Sequence, residues 1–259
     1  MARQKIERIG LENYNYQGYL MKIIKYINNK DIIVQFQNKQ KTEVCTRYTF
    51  FVNGQVKNPY HPSVYGVGMV GQKYSTRTNN KTAKEYEAWK GMLRRCYSDE
   101  KKEKFSSYEN VICCNDWLLY ENFYEWLHSQ ENFEQWYNGD RWALDKDIIV
   151  KGNKIYSPET CCLVPQSVNG LFIKENINRG NYPIGVIYYR KKFQSSYNNP
   201  LATKRITIGR YDTPEEAFFV YKKYKENLIK QIAKEEYDNS NITEKCYNAM
   251  INYEVEITD

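Results

Sequence analysis

Histidine is nearly absent from this 259-residue chain, which has only His61 and His128. Any mechanism that gathers several histidines as bases or metal ligands is excluded by count. Seven cysteines occur, but none form the pairs spaced two to four residues apart that structural zinc sites use, so structural zinc is not expected. Their odd number and scattered placement argue for reduced thiols in a cytoplasm rather than a disulfide framework. No apolar run approaches the roughly 20 residues of a spanning helix, which excludes an integral helical membrane protein and a membrane partner. The opening stretch, MARQKIERIG, lacks the apolar segment of a secretory signal. An acidic excess is also missing: 38 Lys and Arg against 31 Asp and Glu give +7, the wrong sign for a nucleic-acid mimic. Apolar residues make up 41% of the chain, enough to build cores, so wholesale disorder is excluded.

What is abundant is tyrosine, with 25 copies. Tyrosine beside lysine and arginine suits phosphate and base contacts, although an AT-rich coding sequence would enrich the same residues. Charge is unevenly spread: +6 over residues 1–70, −1 over 71–175 and +2 over 176–259. Basic ends around a neutral middle permit nucleic-acid binding without proving it.

Residues 18–52 read as short strands (MKIIKYI, DIIVQFQ, TRYTFFV) separated by Asn-rich turns. A Pro- and Gly-rich stretch then sets a first boundary near residue 70. Residues 81–97 and 117–128 carry apolar stripes at helical spacing, whose aromatics read as core. Residues 109–117 read as a strand ending in a turn, and 142–174 as a β-hairpin followed by a helix. Three strands are expected over 179–211, then a long helix over 213–237 opened by a capping box of Thr213 and Glu216 with Pro214 at its first position. A short helix near 243–251 and a β-like EVEIT tail complete the expected α+β chain.

Within 179–237 stand Gly185-Val186, Phe193-Gln194, the run Ile208-Gly209-Arg210-Tyr211-Asp212-Thr213, then Pro214-Glu215-Glu216-Ala217 and Tyr221. This order resembles the APETALA2-type DNA-binding domain of plant regulators and phage integrase-like proteins. The resemblance implies a three-stranded sheet that enters the major groove of double-stranded DNA, with a helix packed behind it. Alternation along the strands would place Tyr188, Arg190, Lys192 and Gln194, with Arg205 and Thr207 on the third strand, as DNA-binding candidates. Arginine suits bidentate contact with guanine and glutamine contact with adenine. A solvated strand face or a phosphate contact is the plainer reading of each.

Within 74–174 stand Trp89-x-x-Met92-x-x-Arg95-Cys96, Val111-x-Cys113, Trp117, Phe123, Leu144-Asp145-Lys146-Asp147, Tyr156-Ser157-Pro158-Glu159-Thr160-Cys161 and Asn169. This set resembles phage HNH-like proteins, in which an HNH module precedes the same DNA-binding domain. Together the two resemblances span about residues 74–237, and residues 1–70 look like the region often found ahead of such modules.

An HNH site holds one divalent metal against the scissile phosphate, with a strand histidine as base. By position, Asp145 and Asn169 would be the metal ligands, and Asp145, Lys146 and Asn169 the catalytic set. Lys146 stands where the general-base histidine belongs, and a lysine of ordinary pKa near 10.4 is a poor base at neutral pH. His128 is the one histidine that could approach from outside the motif.

The expected architecture is therefore a small β-domain over 1–70, an HNH-like ββα module with extra helices over 71–176, and a three-stranded sheet with a long helix over 177–259. The function this implies is DNA binding on a catalytically degraded nuclease scaffold in a host-cell cytoplasm. The alternatives are an active homing-type endonuclease, for which alone Mg²⁺ is expected, and a phage accessory protein acting on a host defence protein.

Overall fold

The computed structural model describes residues 7–105, 108–172, 182–198 and 205–257. It is a mixed α+β chain with several small sheets, and contacts divide it into two compact units. Among the described residues no helix is long and apolar enough to cross a membrane.

The first unit covers residues 1–75 with 118–121. An antiparallel meander runs β1 (Glu12–Tyr14), β2 (Leu20–Asn28), β3 (Asp31–Phe36) and β4 (Glu43–Thr46) in sequence order. Alternation puts Met21, Ile23, Ile32, Val34 and Phe36 on one face, where Phe51 and Val56 close the core. The segment TRYTFFV does not continue as the expected strand: Tyr48–Val52 forms a short helix, α1. Tyr48 and Phe51 stack at i,i+3 spacing, 6.3 Å apart, a contact that a strand would place on opposite faces.

The second unit covers 76–117 and 122–259. A two-residue ribbon, β5 (Arg77–Thr78) and β6 (Lys81–Thr82), leads into α2 (Lys84–Tyr97) and α3 (Asp99–Lys104). Next come β7 (Ile112–Cys113), α4 (Tyr120–His128, which begins in the first unit's share of the chain) and α5 (Phe133–Asn138). Of the stripe aromatics expected to be core, Trp89, Trp117, Tyr120 and Phe123 are buried while Tyr86, Tyr97 and Tyr124 are half-buried, and the Trp89 indole donates to the Trp117 carbonyl at 2.7 Å.

β8 (Trp142–Asp145) pairs antiparallel with β10 (Cys162–Pro165), after β9 (Ile155–Tyr156) pairs with β7. The helix α6 (Gln166–Leu171) follows β10 directly and packs against β8 and β10. A hairpin followed by a helix thus stands where the sequence placed it. The strand β8 stops at Asp145, because the Asp145 Oδ1 accepts the backbone N–H groups of Asp147 and Ile148, both at 2.8 Å. That Asx turn competes with the strand.

Three strands, β11 (Val186–Tyr189), β12 (Lys192–Asn198) and β13 (Arg205–Tyr211), form an antiparallel sheet in sequence order. The long helix α7 (Pro214–Asp238) opens with the expected capping box: Thr213 Oγ1 accepts from the Glu216 N–H at 3.2 Å, and the Glu216 carboxylate accepts from the Thr213 N–H at 3.3 Å. Its first half covers the sheet with Ala217, Phe218 and Tyr221. Its second half packs Ile229, Ile232 and Ala233 with Val164, Val168 and Leu171 of the hairpin and helix, and with α8 (Glu244–Ile251). One helix therefore belongs to two cores. Tyr221 reaches the sheet over Gly185, where φ is +78° and a Cβ would lie 2.1 Å from its ring.

The described part of the EVEIT tail, residues 254–257, is not a strand. Val255 is buried in the sheet core, but its N–H donates to Glu226 and its carbonyl accepts from Lys222, both at 2.8 Å. Side chains of α7 meet the backbone needs that a ladder would otherwise meet.

Candidate nucleic-acid interface

The sheet has one covered face and one open face. Cross-strand partners share a face, and the register pairs Ile187 with Gln194 and Arg210, and Tyr189 with Lys192. The bulge at Ser195/Ser196 omits Ile208, so Thr207 and Arg205 lie opposite Ser196 and Asn198. The open face thus carries Tyr189, Lys192, Gln194, Ser196, Arg205, Thr207 and Arg210. The covered face carries Val186, Phe193, Ile208 and Tyr211 against α7.

Two expected contacts move. Arg190 is not on a strand: with Lys191 it forms the two-residue turn between β11 and β12, at φ +51° and +62°. Such turns ordinarily draw Asn-Gly, and Arg-Lys gives no such signal, so alternation carried through the turn puts β11 out of phase. Tyr188 consequently lies on the helix-facing side, against Tyr182 and Phe193 at ring distances of 6.4 and 5.1 Å. Tyr189 and Arg210 are the open-face residues that alternation missed. For Arg210 the cause is the bulge, which exchanges it for Gly209.

The open face is organised around two arginines. Arg205 Nε donates to Ser196 Oγ at 2.8 Å, and Arg210 Nε donates to Gln194 Oε1 at 3.3 Å. Gln194, only 8% exposed, also donates to Thr207 Oγ1 at 3.3 Å. Arg210 sits 5.4 Å from the Tyr189 ring centroid. Each arginine is thus fixed by Nε, and among the described residues nothing holds the Nη groups. A fixed guanidinium with a free Nη fork is arranged for bidentate acceptors such as a guanine edge or a phosphate. Lys192 is partly neutralised by an ion pair with Asp212.

The hairpin is arranged differently. Lys146 is 6% exposed; its ammonium donates to the Asn153 carbonyl at 2.9 Å and pairs with Asp147 at 3.0 Å. The Asn153 amide answers by donating to the Lys146 carbonyl at 2.8 Å. Lys146 therefore ties the β8–β9 loop. His128 is held by the Glu85 carboxylate at 3.3 Å, between the Tyr124 and Phe133 rings at 4.0 Å each. His61 bonds the Tyr19 hydroxyl at 3.2 Å.

Asn169 lies half-buried on α6. The donor set for Mg²⁺ is one carboxylate, Asp145, whose Oδ1 already takes two backbone N–H bonds, and one amide. Among the described residues no three His, Cys, Asp or Glu side chains gather for a metal.

The cysteines are free. Adjacent Cys161 and Cys162 are both buried. Cys162 packs with Cys246 and α7 in one core, and Cys161, just before β10, lies near Cys113. Burial pushes the Cys96 and Cys161 thiols up to about 12, which keeps both unreactive.

Burial also raises the Asp145 carboxyl, helped by Asp147, while the N–H bonds from Ile148 and Asp147 and the Lys146 charge oppose it. A native pKa above the unfolded value contributes stability fully below the ordinary carboxylate range, and that stability is lost as pH rises through the native value. Asp145→Asn keeps an acceptor for both N–H groups without the charge. It should raise the melting temperature at pH 7, with the gain shrinking in acid; a melt across pH checks this, and a lowered melting temperature at pH 7 would contradict it.

Comparison with protein-family models, curated proteins and solved structures found no match.

Proposed function

We propose that this chain binds double-stranded DNA by laying the open face of the β11–β13 sheet in the major groove, on an HNH-like ββα framework that grips DNA without cutting it. The observation that carries this reading is the pair Arg205 and Arg210, each tethered by Nε with its Nη fork outward. A sheet sealed behind by α7 has one face left for a ligand, and the major groove admits a β-ribbon. Support for binding without cleavage comes from Lys146, whose ammonium anchors a loop.

The test is anisotropy of a labelled duplex in EDTA across a salt series, beside a supercoiled-plasmid assay with Mg²⁺ or Mn²⁺. Binding without metal, with affinity falling linearly in log–log against salt, is expected, together with intact plasmid. Metal-dependent nicking lost in Asp145→Ala would replace this reading with that of an active nuclease. An absence of duplex binding alongside a co-purifying host protein would replace it with a protein-directed role.

A further inference from the structure

A third tethered arginine stands outside the sheet. Arg95, half-buried on α2, donates from Nε to the Tyr156 hydroxyl at 2.7 Å, and its guanidinium lies 5.2 Å from the Tyr156 ring centroid. Among the described residues no carboxylate pairs with it, although its neighbour Arg94 pairs with Glu100 at 3.2 Å. A half-buried guanidinium ordinarily has an anion beside it, because removing charge from water is unfavourable unless it is compensated.

Gly91, one turn earlier, is the second observation. Its φ is not in the left-handed region, and a Cβ there would meet only Arg95 Nη1, at 4.0 Å. Neither backbone conformation nor crowding requires glycine, and glycine weakens a helix interior relative to alanine. The space over the guanidinium is open there: a methyl group at 4.0 Å would leave it open, and only a longer side chain would fill it. The same pattern holds as at Arg205 and Arg210: Nε is fixed by a neutral hydroxyl or amide oxygen and, among the described residues, the fork is left open.

We propose that Arg95, held by Tyr156 beneath the gap at Gly91, is a docking point for one phosphate of the DNA backbone. This rests on the DNA-binding reading and extends the contact from the sheet to α2. A backbone phosphate contributes affinity without sequence information, and each one neutralised adds about one to the salt slope.

Full-length variants would be compared by duplex anisotropy across salt and by thermal melting. Gly91→Glu should raise the melting temperature, because a helix former replaces glycine and a carboxylate falls four residues before Arg95. The same change should weaken duplex binding about tenfold and lower the salt slope by about one, because the new carboxylate takes the phosphate's place. Gly91→Ala should stabilise similarly and leave binding within about twofold of wild type. Arg95→Gln should match Gly91→Glu in affinity and slope, and the two combined should lose little more, as expected for one shared contact.

A stabilised Gly91→Glu protein with unchanged affinity and slope would overturn the proposal while leaving the sheet reading intact. Loss of all duplex binding by the wild type would overturn both. If inorganic phosphate raised the melting temperature of wild type but not of Arg95→Gln, with the DNA slope unchanged, the site would serve a free anion and the DNA assignment would fall.

Discussion

Replacing Arg205 and Arg210 together with alanine is expected to weaken duplex binding by about 100-fold. An arginine that reads a base edge bidentately contributes about 1–3 kcal/mol, and tenfold in affinity corresponds to about 1.4 kcal/mol. Two such residues therefore justify a factor of about 100 even near the low end of that range. Both side chains lie on the outside of the sheet and, among the described residues, are bonded only by Nε to Ser196 and Gln194, so the folded protein should tolerate their loss. Salt dependence separates the two roles they could play. If they contact phosphates, the slope falls by about two and every sequence is affected alike; if they read bases, the slope holds and discrimination between sequences collapses. Anisotropy on several duplexes over a salt series gives the answer. An unchanged affinity would remove the sheet from the interface.

Ile229→Ala is expected to destabilise the second unit by about 2–5 kcal/mol, the range for emptying a fully buried aliphatic site. For a unit of this size that lowers the melting temperature by roughly 10 °C. The informative part is which elements melt. Ile229 touches the hairpin core, yet it belongs to the helix whose first half covers the sheet. Sheet and hairpin should therefore lose stability in one transition, as read by calorimetry and by near-ultraviolet dichroism of the many tyrosines. Two separated transitions, with the sheet's unchanged, would show that α7 does not couple the two cores.

Much of this was legible in the residues. The capping box at Thr213 and Glu216 fixed the start of α7, and the helical stripes through Trp89 and Phe123 marked true core. What failed did so for local reasons with long reach. The Arg190–Lys191 turn has left-handed dihedrals without a turn-favouring residue, and missing it moved Tyr188 to the wrong face and hid Tyr189. The bulge at Ile208 likewise hid Arg210, since alternation has period two and one extra residue inverts everything beyond it. The helix at Tyr48–Val52 has a strand-like composition, and its helical form shows in the Phe51 N–H bond to the Arg47 carbonyl and the stacking of Tyr48 on Phe51. Lys146 was seen as an odd occupant of a base position, but its partner Asn153 lies across a loop whose closure no spacing rule predicts.

The central claim is that the open face of the three-stranded sheet meets DNA. Hydrogen–deuterium exchange of the full chain with and without saturating duplex tests it most directly. The account predicts slowed exchange in β12 and β13 on adding DNA, with the β2–β3 ladder of the first unit unchanged. Exchange in β12 and β13 that is identical in the two states, while duplex binding is demonstrably saturated, would contradict it.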